Sequence, residues 1–443
     1  MTSPSEQRDS GDFRAQPVPV VPLGAVCVLF AMGFGILAPA IPVMMAEFGM
    51  TPVSASFFVT GSSAVIAVAC LISGSLADRA ELRTILSGGL AVFILGSVVA
   101  AFAEDYRVLV GGRLVQACGG AVCMTMARLA VRRSFRPKET MRLLSLFAFW
   151  MVACGILASV IGGWMTELSS WRMIFVFEIS CALICWFFIL RGGGLRRCRF
   201  GEAGRHGAMP LAARLRSLCI LPFALLVILH SASSALILAE IIWIPQIAAE
   251  RFGMSAGAIG TWRMVLSVAM AAGCIIPARF AALAEPQIFA YAAVSILVIG
   301  LPVFLASSHT FDHPAGLFLP AAFVATSCGI LLALAPSWCM VIASTAPGTG
   351  LGVMAFSVGL LSSGLVQLVT VLSVADVETM LATAMTVSCG IELAVVVALF
   401  LWIRSGRAVG PTTDMPSADR WPHALHAEDP PAGLARDSER GAA

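Results

Sequence analysis

Charge is what this chain has least of. Only 12% of its 443 residues are Asp, Glu, Lys or Arg, 59% are hydrophobic, and the mean hydropathy is +0.91. An ordinary soluble domain carries about 25% charged residues, so a large aqueous core is excluded and an integral membrane protein is left. Lysine is nearly absent. Lys138 is the single one, and the arginine bias with abundant Ala and Gly points to a GC-rich bacterial genome. Strict alternation of apolar and polar residues is missing, which excludes a membrane β-barrel. No His-Glu-x-x-His, paired-aspartate or nucleophile motif appears, and no polar stretch is long enough for a signalling domain, so neither an enzyme nor a sensor is expected. The thirteen cysteines lie in apolar runs or near the central loop and show no metal-site spacing; no metal, cofactor or nucleic-acid partner is expected. No cleavable leader is expected either, because Met1 to Gln16 leads straight into a run too long for a signal peptide.

What is present is a series of apolar runs, each near the roughly 20 residues that cross a bilayer. Twelve spans are predicted: Val20–Met45, Ser54–Ser73, Ile85–Phe102, Val108–Met126, Leu143–Met165, Met173–Leu190, Leu218–Pro245, Ala256–Pro277, Ile288–Ala306, Ala315–Ala343, Thr349–Val374 and Met380–Ile403. Between the sixth and seventh lies an Arg- and Gly-rich connector. The expected organisation is a polar tail (1–19), a six-helix bundle (20–190), a basic linker (191–217), a second six-helix bundle (218–403) and a disordered tail (404–443). The net charge of +3 is distributed unevenly. Arg79, Arg83, Arg128, Arg132, Arg133, Arg136, Lys138, Arg142, the connector's arginines, Arg279, Arg404 and Arg407 fall on one side, whereas the other has Arg107, Arg172 and Arg251 among eight acids. The positive-inside rule then puts both termini and the connector in the cytoplasm, for a multi-pass protein of the bacterial inner membrane.

Glycines cluster in two of these runs, Gly155, Gly162 and Gly163 in the fifth and Gly348, Gly350, Gly352, Gly359 and Gly364 in the eleventh. With no strand, lysine or ribose-binding acid after them they are not a nucleotide loop; they serve helix approach and bending. Pro39 and Pro42 in span one and Pro336 in span ten are expected kinks.

A twelve-span, six-plus-six chain with a charged loop between spans two and three resembles the major facilitator superfamily over nearly its whole length. "GSLADRAELR" is similar to that family's loop motif Gly-x-Leu-Ala-Asp-Arg-x-Gly-Arg-Lys. Gly74, Leu76, Asp78 and Arg79 match; Glu81 and Leu82 stand where Gly and Arg are usual, and Arg83 keeps the last basic position. "LVGGRLVQACGGA" resembles the Arg-x-x-Gln-Gly motif of proton-coupled members through Arg113 and Gln116, with Ala117 in place of Gly. "ASVIGG" resembles the antiporter motif ending Gly-Pro-x-x-Gly-Gly, keeping Gly162 and Gly163 but carrying Ser159 for the proline. "SSWRMIF" and "LAPAIPVMMAEFGMT" are similar to segments of the twelve-span drug:proton antiporters of the bicyclomycin- and chloramphenicol-resistance type, with Gly35 where an acid is common.

The resemblance implies roles. Gly74, Asp78, Arg79 and Arg83 are the expected conformational latch. Asp78 has a physical partner in the start of span eleven, whose unpaired backbone N–H groups attract an anion; a solvated turn is the alternative. Arg113, a few residues into span four, should face a cavity, because charge at membrane depth costs at least about 2.5 kcal/mol. Gln116, one turn away, shares its face. Since Gly35 removes the usual acid, the proton-coupling candidates are Glu178, Glu392 and His230, alongside Arg113 and Gln116. Glu392 lies near mid-span, where an ionised carboxylate is least tolerable, with a helix-pairing role as its alternative. For His230 an interhelical hydrogen bond competes. Glu240 and Arg263 are expected to be an ion pair.

Gly155, Ser159, Gly162 and Gly163 should bend and pack span five. Phe30, Met32, Phe57, Phe147, Trp150, Trp338 and Phe356, with Trp243 and Trp262, supply the aromatic and Met surface expected at a mid-membrane pocket. Such a pocket suits amphipathic, neutral or weakly cationic molecules. The expected protein is an all-α membrane transporter of twelve helices in two six-helix bundles. It works as a monomer in the lipid bilayer, driven by the proton gradient, and exports a small-molecule substrate such as a drug, antibiotic or siderophore. A proton-symporting uptake permease is the alternative that Ser159 keeps open.

Overall fold

A backbone crossing lipid must satisfy its N–H and C=O groups within itself, and this chain does so as helix after helix. The computed structural model describes residues 19–77, 81–135, 137–192, 216–280, 286–310, 312–342, 347–372 and 376–404. Its helices are α1 (Val20–Gly35), α2 (Ile41–Phe48), α3 (Pro52–Ala77), α4 (Leu82–Ala101), α5 (Tyr106–Ser134), α6 (Pro137–Leu168), α7 (Arg172–Arg191), α8 (Leu221–Phe252), α9 (Ala256–Phe280), α10 (Pro286–Thr310), α11 (Ala315–Ile342), α12 (Pro347–Leu372) and α13 (Val377–Arg404). With α1 and α2 as one crossing, they make 12 segments long and apolar enough to span a membrane. No strand occurs among the described residues.

The first crossing is two helices because of its prolines. Pro39 and Pro42 lack an N–H, so the carbonyls of Gly35 and Ala38 lose their helical donors. The chain accordingly leaves the α-helix after Gly35, makes a 3-10 turn at Ala38–Ala40 and resumes at Ile41. Other prolines do less. The span end expected at Pro245 is too early, because α8 continues through Pro245 to Phe252, whereas the eighth crossing runs Ala256–Pro277 as expected, with α9 going on to Phe280. One missing bond does not stop a long apolar helix held by its neighbours. α11 likewise continues as helix across position 336.

Two turns at one end are near copies. Phe48-Gly49-Met50-Thr51 closes α2 and Phe252-Gly253-Met254-Ser255 closes α8, with Gly49 and Gly253 at φ 60° and 58°. That left-handed conformation ends a helix at little cost only for glycine. The hydroxyl that follows caps the next helix: Thr51 Oγ1 accepts from Ser54 N and Ser255 Oγ from Ala258 N, both at 3.3 Å.

We call the end where odd spans turn into even ones the acidic end, and the opposite end the basic end. Residues up to Leu399 form one compact unit. Its largest apolar cluster draws on the first and last six spans alike, with Ile36, Ile41 and Phe175 packed together with Leu236, Trp243 and Phe318 toward the acidic end. Three smaller clusters toward the basic end each stay within the first six or the last six spans. The two sets of spans are thus joined at the acidic end. Most of the expected linker and both expected tails lie outside the described residues.

Candidate functional site

Arg113, Gln116 and Glu178 are 6%, 0% and 1% exposed, and the fold gathers all three into one network. Arg113 and Gln116 are three residues apart on one face of α5, and Arg113 Nη1 donates to Gln116 Oε1. Arg113 Nη2 donates to the Gly33 carbonyl of α1 at 2.7 Å. Gln116 Nε2 contacts Glu178 Oε2 of α7 at 2.8 Å and Ser97 Oγ of α4 at 2.7 Å. Glu178 Oε1 has no hydrogen-bond partner. Gly33 makes the room, since a Cβ there would lie 3.1 Å from Glu178 Oε1 and 3.5 Å from Arg113 Nη1.

Acid and guanidinium therefore face each other across an amide. Ionised, Glu178 balances Arg113 and accepts from Gln116; protonated, it leaves Arg113 as an uncompensated buried charge. The network's charge thus changes with one proton. The Phe34 ring centroid lies 5.5 Å from Arg113 Cζ. Both residues line a cavity of about 10 Å³ with Phe58 and, from the seventh span, Ile241. That is room for about one water, where the network meets the last six spans.

Two of the departures from the family motifs touch each other. Gly35, standing where an acid is common, has the carbonyl that Pro39 cannot serve, and Ser159, standing where proline is usual, donates its Oγ–H to that carbonyl at 3.0 Å. Gly162 then lets α6 lie directly on the break, because a Cβ at 162 would come 1.9 Å from the Ile36 carbonyl oxygen. Gly155 has open space around it.

Two seams shut the acidic end. Between α6 and α9, a Cβ on Gly163 would lie 2.4 Å from the Ala256 oxygen, and one on Gly260 would lie 2.3 Å from the Ser159 oxygen. Glu167, at the end of α6, accepts from Gly257 N at 2.8 Å and from Ser255 Oγ at 2.7 Å. It thereby caps the N-terminus of a helix in the other set of spans, where the helix dipole favours an anion. Between α3 and α12, Ser56 Oγ and Thr60 Oγ1 donate to Gln367 Oε1 at 3.1 and 3.3 Å, and Thr370 Oγ1 donates to Ser56 Oγ at 3.1 Å. Removing the cap charge in Glu167→Gln should weaken closure by about 1 kcal/mol, the worth of an exposed carboxylate at a helix N-terminus. Spin-label distances between α6 and α9 in a cysteine-depleted background should then show a larger open fraction.

Sequence reasoning missed these seams. Their signal is small residues at helical spacing, Ser159-x-x-x-Gly163 facing Gly257-x-x-Gly260.

Other expected residues lie elsewhere. Glu240 and Arg263 meet, but through the main chain rather than as the expected side-chain pair: Arg263 Nη1 donates to the Glu240 carbonyl at 3.0 Å, while Glu240 Oε1 has no hydrogen-bond partner. Glu392 and His230 are buried apart from the Arg113 network. Asp78 and Arg79 lie outside the described residues, and of Gly74 only its place in α3 is described. Arg83 Nη2 donates to the Leu190 carbonyl of α7 at 2.6 Å, tying span three to span six.

None of the expected pocket aromatics lines the small cavity at Arg113. Phe147 packs in the apolar cluster of the first six spans, and Trp338 in those of the last six. Met32 packs on the shared cluster, and Phe30 meets Phe34 edge-on at 6.3 Å. Phe57 and Trp150 are 45% and 50% exposed, and Phe356 is partly buried. Trp243 is fully buried in the shared cluster, and Trp262 stacks on Phe318.

The Major Facilitator Superfamily model matches residues 23–367. Over 149 residues the chain is 26% identical to the putative multidrug resistance protein MdtD of Yersinia enterocolitica, which covers 34% of this chain and 32% of that protein. Over 178 residues it is 28% identical to the methylenomycin A resistance protein of Bacillus subtilis, covering 37% and 38%. The chain thus spans about a third of the length of these relatives. Among solved structures, a bacterial homolog of the human lysosomal transporter Spinster, inward-facing and occupied, superposes at TM-score 0.70 and 14% identity over 87% of this chain and 96% of that one. A D-xylose-proton symporter does so at 0.68 and 14%, over 86% and 96%. At such identities the likeness is one of fold.

Proposed function

This chain belongs to the Major Facilitator Superfamily, whose members are transporters and not enzymes, and from that premise we propose that it exports small amphipathic organic molecules in exchange for protons. Drugs, antibiotics and secondary metabolites such as siderophores are the substrate class. The observation that carries the reading is the Arg113–Gln116–Glu178 network. It is a buried carboxyl with one free oxygen, held by an amide against a guanidinium, beside a cavity shared with the other set of spans. Groups of this kind inside a membrane mark ion pathways. The relatives named for multidrug and methylenomycin resistance support export.

The seams support alternating access. Closure at the acidic end rests on close packing of small residues and on a few hydrogen bonds between the two sets of spans, so it can part as a unit while each set keeps its own cluster. We assign the basic end to the cytoplasm and the protein to the bacterial inner membrane, working as a monomer of two six-helix bundles. The structure then corresponds to a form closed to the outside.

Direction is tested in inverted membrane vesicles with ethidium as the amphipathic probe. An imposed gradient, acid inside, should drive ethidium into the vesicles, an uncoupler should abolish uptake, and Glu178→Gln should abolish its dependence on the gradient. Net ethidium exit under the same gradient would support the proton-symporting uptake permease instead.

A further inference from the structure

Among the ionisable side chains that the last six spans bury and the Arg113 network does not use are Glu240 of α8, Arg263 of α9 and Glu392 of α13, at 5%, 6% and 0% exposure. Arg263 and Glu240 answer each other, by the bond to the Glu240 carbonyl and by the attraction of the guanidinium for the carboxylate. Glu392 has no such counterpart. Neither of its oxygens has a hydrogen-bond partner, and among the described residues no cation reaches it. A lone buried carboxylate costs several kcal/mol. The buried Cys328 thiol of α11 lies near both Glu240 and Glu392. Two acids and one arginine thus share one interior.

A single bound cation would balance this interior, and a proton suits it best. It removes the charge by forming an O–H bond and needs no shell of oxygen ligands, whereas a metal ion here would sit in the same interior as Arg263. The polar neighbours suit either charge state. Ser388, one turn from Glu392 on the same face of α13, buries a hydroxyl oxygen with no hydrogen-bond partner, and the buried Ser233 hydroxyl of α8 lies beside Cys328. A hydroxyl can accept from a carboxylic acid and donate to a carboxylate. The titratable or charged groups in this interior are His230 and Glu240 from α8, Arg263 from α9, Tyr291 from α10, Cys328 from α11 and Cys389 from α13; α12 carries none. Glu392 also has a counterpart in the chain. It lies twelve residues before Arg404, the last residue of α13, as Glu178 lies thirteen before Arg191, the last of α7.

We propose that Glu392 is a second exchangeable proton site, separate from Glu178. It is neutral in the conformation seen here and is discharged when the last six spans open to water. On discharge the carboxyl O–H bond breaks, the electron pair stays on the carboxylate and the proton passes to water. The inference rests on the proton-coupled reading above and implies two protons per cycle.

The test counts protons. Full-length protein in potassium-only liposomes is stepped from acid to alkaline pH, and proton release is read with a pH-sensitive dye for wild type, Glu178→Gln, Glu392→Gln and the double variant. Glutamine keeps the size of the side chain, and only variants that elute as monodisperse protein are compared. The expected result is one proton fewer for each single variant and two fewer for the double. Release from Glu392→Gln equal to wild type overturns the second site, whatever Glu178→Gln does. A deficit in Glu392→Gln with none in Glu178→Gln upholds it and refutes the Glu178 reading instead. Repeating the step in sodium distinguishes the ions: a deficit that vanishes there means a metal cation is the occupant and overturns the proton.

Discussion

Arg113→Ala should abolish transport and destabilise the protein by about 3–5 kcal/mol, the cost of leaving a buried charge without its partner. The guanidinium holds two elements at once, the Gly33 carbonyl of α1 and Gln116 of α5, and it is the cation facing Glu178. Removing it orphans the carbonyl and strands an acid that is 1% exposed. The double variant Arg113→Ala with Glu178→Gln separates folding from function. With no acid left to compensate, its unfolding temperature in detergent should recover much of the loss, while ethidium transport stays absent. An unfolding temperature for Arg113→Ala equal to wild type would show that Glu178 does not depend on Arg113 for its charge.

Gly260→Leu should trap the molecule with its acidic end open and reduce transport by at least about tenfold. The first atom of any side chain at 260 would stand 2.3 Å from the Ser159 oxygen, across a seam where α6 and α9 touch backbone to backbone. Neither helix can yield without giving up its own hydrogen bonds, so the seam parts instead. Each six-span set keeps its own apolar cluster at the basic end, so the protein should remain folded and inserted. The check is a pair of spin labels on α3 and α12 in a cysteine-depleted background. The distance between Ser56 and Thr370, now in contact, should lengthen in Gly260→Leu and stay short in Gly155→Leu, where the added side chain begins in open space. An unchanged distance in Gly260→Leu would mean that the α6–α9 seam does not control closure.

Some of this was legible in the residues alone. Twelve crossings follow from twelve apolar runs, since lipid leaves a continuous backbone little choice but helix. Arg113, Gln116 and Glu178 stood out because a polar group in an apolar run needs an inward reason. Their partners were not legible. Gly33 is a blank in any pattern, and only the crossing of α1, α5 and α7 shows that its missing side chain houses an acid and an arginine. Ser159 looked like the loss of a proline, yet it serves the carbonyl left bare by Pro39, 120 positions earlier in the chain. The span end at Pro245 was set too early, since the helix runs on to Phe252. The Phe-Gly-Met-Thr and Phe-Gly-Met-Ser turns could have been found by comparing the chain with itself, and would have located the Ser255 cap that Glu167 engages.

That clasp also contributes to how the empty protein divides its time. A bias of about 1 kcal/mol is roughly a fivefold preference, far short of the about 5.5 kcal/mol that separates a mostly shut population from a mostly open one. Glu167 by itself therefore tilts the balance without freezing it. A tighter clasp would hold the resting form more faithfully and turn over more slowly.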